Sequence, residues 1–182
     1  MVKPDQIIKS NRKTISIQVT DEAELIVKVP TNVCAVDISK LLLEHQDWII
    51  KKQNNAKAKL HKLSNLDYDH NKISTYKSLA REIIEKKVDH FSSIIDVDLK
   101  KIRLSGAKKR WGSCSSNKTI SLNWKLIFVP EEVFDYVVIH ELSHIKHMNH
   151  SQKFWNEVKN YCPNYKTHKK WLKNNDHLLR LG

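Results

Sequence analysis

The fourteen residues Val137–His150 (VVIHELSHIKHMNH) constrain this chain more than any other stretch, and they hold four of its ten histidines. His140 and His144 are four apart, so on a helix they sit one turn above each other, offset by about 40°. Two imidazoles so placed can grip one metal ion from one face. Glu141 is rotated by about 100° from His140 and cannot be a third ligand from that face. It can instead lean over the open coordination position and touch a metal-bound water, which is the mechanical content of HExxH. With ten His and nine Glu in 182 residues, chance predicts roughly 0.03 such matches per chain, and roughly 0.002 once a further His must lie ten residues after the first. Val137, Val138, Ile139, Leu142 and Ile145 flank the motif with apolar surface, as a buried helix carrying a metal requires.

A catalytic zinc takes three protein ligands and keeps one position open for water. His150 is the expected third ligand, with Asn149 as a left-handed helix stop that turns the chain back towards the ion. His147 is the rival, although three ligands from adjacent turns of a straight helix converge poorly. A closed structural site formed by the three histidines with Cys114 would leave Glu141 without a job. Non-haem iron prefers two His and a carboxylate, and Glu141 sits at the wrong angle for that.

The rest of the chain reads as α+β. Residues 14–19 and 24–29 alternate in the manner of a hairpin, and 36–59 suits an amphipathic helix. A polar connector over 60–73 marks a boundary between an N-terminal hairpin-plus-helix subdomain, 1–62, and a core, 63–182, unless the two form one continuous domain. A second helix is expected over 74–95, and strands near 101–105 and 119–126 flank a basic turn holding Gly106 and Gly112. Pro130, followed by Glu131 and Glu132, starts a helix running to about Lys146, because proline fits the first turn and acids complement its dipole. Residues 151–179 read as one or two helices broken at Cys162-Pro163.

Lys plus Arg exceeds Asp plus Glu by 12. Lys100, Lys101, Arg103, Lys108, Lys109 and Arg110 follow one another without an acid between them, so this stretch can meet phosphates or an acidic substrate, or simply form a solvated face. The N-terminus has no apolar signal region and no apolar run approaches a membrane span. Three cysteines with no CxxC pair suggest a reduced, cytoplasmic protein.

Taken together, Arg110-Trp111-Gly112-Ser113-Cys114-Ser115, Ile120-Ser121-Leu122-Asn123-Trp124, Asp135–His144 and His147-Met148-Asn149-His150-Ser151 with Phe154-Trp155 resemble the YgjP-like metallopeptidases, relatives of the SprT-like and WLM zinc proteases among the zincins. The resemblance is strongest over 109–156. It implies a zincin-like core, Zn2+ on His140, His144 and His150, and Glu141 as general base in peptide-bond hydrolysis. The ligand spacing equals that of metzincins, but His147 stands at their glycine position and no later methionine turn follows. SprT-like relatives act on proteins at DNA, so non-specific nucleic acid is an expected partner beside a protein or peptide substrate.

In such chemistry the developing oxyanion needs a second electrophile, for which Tyr161, His168 and Arg110 are candidates. The strand Ile120–Trp124 is expected to be an edge beside the metal helix, open to an extended peptide. Lys108, Lys109, Arg110, Asn123 and Trp124 are therefore candidates to touch substrate or nucleic acid, although core packing is the commoner role for a tryptophan. The rival readings are a basic nucleic-acid-binding module with a structural metal, and an inactive scaffold, which has no use for Glu141.

Overall fold

A computed structural model describes residues 2–20, 22–64 and 68–182. The chain divides into two compact units, Met1–Asp67 and Tyr68–Gly182. The division falls after residue 67 rather than 62, because the helix expected to end near residue 59 runs on to Ser64. Residues 65–67 of the expected connector lie outside the described residues, and 70–72 form a short 3-10 turn.

In the first unit, β2 (Ser16–Val19) and β3 (Leu25–Pro30) pair antiparallel, as their alternation predicts. A further strand, β1 (Gln6–Ser10), joins β3 on its other side in parallel. The expected single helix is two, α1 (Ala35–Glu44) and α2 (Gln46–Ser64), separated at His45. Leu25, Val27 and Val29 point inward from β3 onto Ile38, Leu42 and Ile49. Burial of each such side chain is worth about 1.5–3 kcal/mol, so this small unit has a core of its own.

The second unit begins with α3 (Ile73–Ile95), ended by Asp96 in the left-handed region at φ 57°. Three short strands follow: β4 (Lys101–Ser105), β5 (Gly112–Cys114) and β6 (Thr119–Asn123), in the spatial order β4-β6-β5. The strand expected over 119–126 stops at Asn123, whose Oδ1 accepts from the Lys125 N–H and starts a 3-10 turn over Trp124–Phe128. Next come α4 (Glu131–Lys146), α5 (Gln152–Tyr161) and α6 (Tyr165–Asn174), with the last break at the expected Cys162-Pro163. The mixed α+β architecture is thus the one expected, with two small sheets and six helices among the described residues. No helix among them is long and apolar enough to cross a membrane.

Helix α4 is the axis of this unit. It is buried on almost every side, by α3, α5, α6 and β5. Both of its ends are tied to α3: Lys87 Nζ donates to Asp135 (2.5 Å) and Glu131 (3.0 Å) at one end, and Lys146 Nζ donates to the Ile95 carbonyl (2.6 Å) at the other. A helix held this way presents its side chains in fixed directions.

Candidate metal centre

His140 and His144 project from α4 one turn apart, their ring centroids 5.0 Å from each other and their planes nearly perpendicular. The helix ends two residues later. His147 leaves it with an extended backbone, φ −135°, while its N–H still bonds the Ser143 carbonyl at 3.0 Å. Asn149 is not in the left-handed region, so the expected stop at that residue is replaced by the departure at His147. The corner ends at Ser151, whose Oγ caps α5 by accepting from the Phe154 N–H. His150 is thereby returned to the face of α4 that carries the other two histidines.

One nitrogen from each of His140, His144 and His150 falls within 4.8 Å of the other two. Nε2 of His140 and Nε2 of His150 are 3.2 Å apart. Tetrahedral zinc with bonds of about 2.0–2.1 Å requires ligand–ligand edges of about 3.3–3.4 Å, so this spacing fits one ion. His144 Nδ1 donates to the His147 carbonyl at 3.1 Å. A carbonyl can only accept, so the proton sits on Nδ1 and the Nε2 lone pair is left for a metal. His147 therefore contributes its main chain, and its imidazole is outside the ligand cluster. Burial, then the charges of His144, His150 and Lys169, push His140 down to about 3. His144 is lowered by burial too. Both shifts favour the neutral ring, the form that ligates metals.

The three imidazoles share an aromatic floor. The fully buried Phe154 ring stacks on His144 at 4.4 Å and meets His140 and His150 edge-on at 4.9 and 4.8 Å. Trp155 also stacks on His150, and Tyr165 on Trp155. Such packing locks ring orientation before any ion arrives.

Glu141 is buried beside this cluster, and burial pushes its carboxyl up to about 8 against the opposing charge of Arg110. It lies directly on β5: a Cβ at Gly112 would stand 2.6 Å from Glu141 Oε1 and 2.7 Å from its Cγ. The three histidines and Glu141 form one wall of a cavity of about 300 Å³, and Gly112, Ser113 and Cys114 form the other. Cys114 is not among the grouped donors. Burial and the nearby Glu141 raise its thiol pKa, and it leans on the Ser115 carbonyl at 3.6 Å. The closed site of three histidines and a cysteine does not form.

Other expected contacts are placed differently. The edge strand facing α4 is β5, and β6 is central. Asn123 is fully buried, and its amide donates to the Ala107 and Arg110 carbonyls at 2.8 and 3.0 Å. Trp124 is buried in a stack with Tyr76. Asn123 thus holds the β4–β5 turn and Trp124 packs against α3, so both are buried where contact with substrate was expected. Lys108, Lys109 and Arg110 are exposed on that turn. His168 packs on Tyr136, which in turn meets His140, whereas Tyr161 acts on Lys146, the last residue of α4. Sequence reasoning missed the roles of Gly112 and Phe154; in sequence, one looks like a turn residue and the other like an ordinary core anchor.

Residues 65–175 match the family model described as YgjP-like, metallopeptidase domain. No curated protein matches the chain. Among solved structures, the metallopeptidase zymogen abylysin of Pyrococcus abyssi is 27% identical at a TM-score of 0.45, covering 50% of this chain and 92% of its own. The metallopeptidase zymogen jannalysin of Methanocaldococcus jannaschii is 30% identical at 0.43, covering 50% of this chain and 91% of its own.

Proposed function

The chain belongs to the YgjP-like metallopeptidase family, and from that premise we propose that it is a zinc peptidase with His140, His144 and His150 as ligands and Glu141 as general base. The observation that carries this reading is the convergence of three imidazole nitrogens within 4.8 Å in the cavity that Glu141 also lines. Three imidazoles with no thiolate among them are the donor set of an open, catalytic zinc site. Zinc there would supply Lewis acidity, polarising the scissile carbonyl and acidifying water.

The protein's own groups do the rest. Glu141 takes a proton from the attacking water and delivers it to the leaving amine, for which a buried carboxyl of raised pKa is suited. Gly112 leaves the space that the Glu141 carboxylate occupies, because a Cβ there would collide with it. Strand β5 pairs with β6 along one edge only. An extended peptide can add to its other edge by main-chain hydrogen bonds and lie across the cavity. The three cysteines are unpaired, which suits a reducing, cytoplasmic compartment.

Metal analysis of protein purified without added zinc, with digestion of casein and peptide pools, tests this reading. About one zinc per chain and cleavage are expected. Glu141→Gln should keep the ion and the fold while abolishing hydrolysis, because it removes a base and no ligand. Loss of zinc in that variant, or cleavage surviving in it, would refute the assignment.

A further inference from the structure

A second cavity, of about 370 Å³, opens on the outer face of the β4-β6-β5 sheet and shares Ser113 and Cys114 with the metal cavity. Strand register explains its lining. Arg103 of β4 and Ser113 of β5 both lie opposite Ser121 of β6, so the three form one row across the sheet. Side chains alternate between faces, so Ile120 and Leu122 go to the core while Thr119 and Ser121 go outward. Small hydroxyls make a low floor, and Arg103 and Arg110 stand over it. No acidic residue occurs between Asp98 and Glu131. The ion pairs among the described residues involve neither arginine. The site thus holds two guanidinium groups outside any ion pair among the described residues, of which Arg110 also acts on the Glu141 carboxyl, and several hydroxyl donors, and it abuts the place where a peptide bond would be cut.

We propose that this cavity is a specificity subsite that takes a carboxylate side chain of the substrate, within two residues of the scissile bond. The inference rests on the metallopeptidase reading and adds a substrate class to it. A peptide added to the free edge of β5 sends alternate side chains to the two faces of the sheet. Those on the outer face pass beside Ser113 into the cavity. There a planar carboxylate meets the planar forks of Arg103 and Arg110, the geometry that gives paired, charge-assisted hydrogen bonds. A nucleic-acid backbone needs a continuous basic track, but Lys108 and Lys109 are not part of this lining.

Three peptides differing only in Asp, Asn or Lys beside the scissile bond test the assignment. The wild-type enzyme should cleave the Asp peptide with a kcat/KM about tenfold or more above the Asn peptide. Arg103→Gln should bring that ratio to about one, and Arg103→Glu should turn the preference towards Lys. Lys86→Gln, which removes one charge from α3, should leave the ratio as it was. Equal cleavage of all three peptides by the wild type overturns the subsite and leaves the peptidase standing.

Absence of any cleavage overturns the peptidase, and binding then judges the cavity by itself. Zinc-loaded Glu141→Gln protein should bind a fluorescent Asp peptide about tenfold more tightly than the Asn peptide, with the difference lost on adding Arg103→Gln. Equal binding refutes the proposal. A single-stranded oligonucleotide that displaces the Asp peptide and depends on Arg103 more strongly than the peptide does would make this a phosphate site and refute it too.

Discussion

Replacing Gly112 by alanine adds one methyl group at the most crowded point of the site. The new Cβ would stand 2.6 Å from Glu141 Oε1, 2.7 Å from Cγ and 2.9 Å from Cδ, where ordinary contact begins at 3.4 Å. The carboxylate must therefore withdraw by about 0.8 Å, and a displacement near 1 Å costs about 100-fold in rate. Backbone strain does not contribute, because Gly112 is in a strand and outside the left-handed region. Alanine is in fact the better strand residue by roughly 0.5–1 kcal/mol. The clash should still cost about 1–3 kcal/mol of stability, as overpacking does. Removing Glu141 as well makes room, so a double-mutant cycle isolates the contact. Gly112→Ala, Glu141→Ala and the double variant would be compared by urea unfolding, and Gly112→Ala with the wild type by peptide hydrolysis. The single Gly112 variant should lose activity while keeping its zinc, and its destabilisation should vanish in the Glu141→Ala background. Activity within threefold of wild type, or the same stability loss in both backgrounds, would refute the idea that this glycine positions the base.

His150→Ala should release most of the metal and His147→Ala should retain it, as measured by bound zinc after dialysis; the reverse result would move the third ligand. Phe154→Ala removes the floor under all three imidazoles, and should cost about 3–5 kcal/mol in thermal unfolding and weaken zinc binding; a variant with unchanged affinity would show that the rings are held without it. The exposed turn should bind single-stranded nucleic acid weakly and without sequence preference, with affinity falling as salt rises. Exchanging Lys108, Lys109 and Arg110 for Ser should flatten the salt slope by about 2–3 without displacing zinc, and binding indifferent to salt would exclude the role.

What the sequence makes legible is what is local. The pairing of His140 with His144 needs only helical periodicity, and the start of α4 needs only Pro130 and two acids. Strand β3 announces itself because Leu25, Val27 and Val29 alternate with half-exposed residues. Strand β1 does not, since all five of its residues are exposed and only its parallel pairing with β3 defines it. Strand β5 consists of Gly, Ser and Cys, types with weak strand preference, and exists through its ladder to β6. Mistaking β6 for the edge followed directly from missing β5. Gly112 could not be recognised as a cradle because its partner lies 29 positions away, on a helix whose packing no local pattern specifies.

The corner at His147–Ser151 also sets how an ion would come and go. His140 and His144 ride on a helix buried almost all round, so they hardly move. His150 is exposed and is held by the first turn of α5, with five residues separating it from His144. Over so short a span the free end stays at high effective concentration, and a detached imidazole recaptures the ion sooner than the ion diffuses away. Escape then waits for the first turn of α5 to lift off Phe154 and its neighbours, a local opening event. A chelator added in excess would not speed that opening, so the rate of metal loss would level off with chelator concentration and report the stability of α5's first turn.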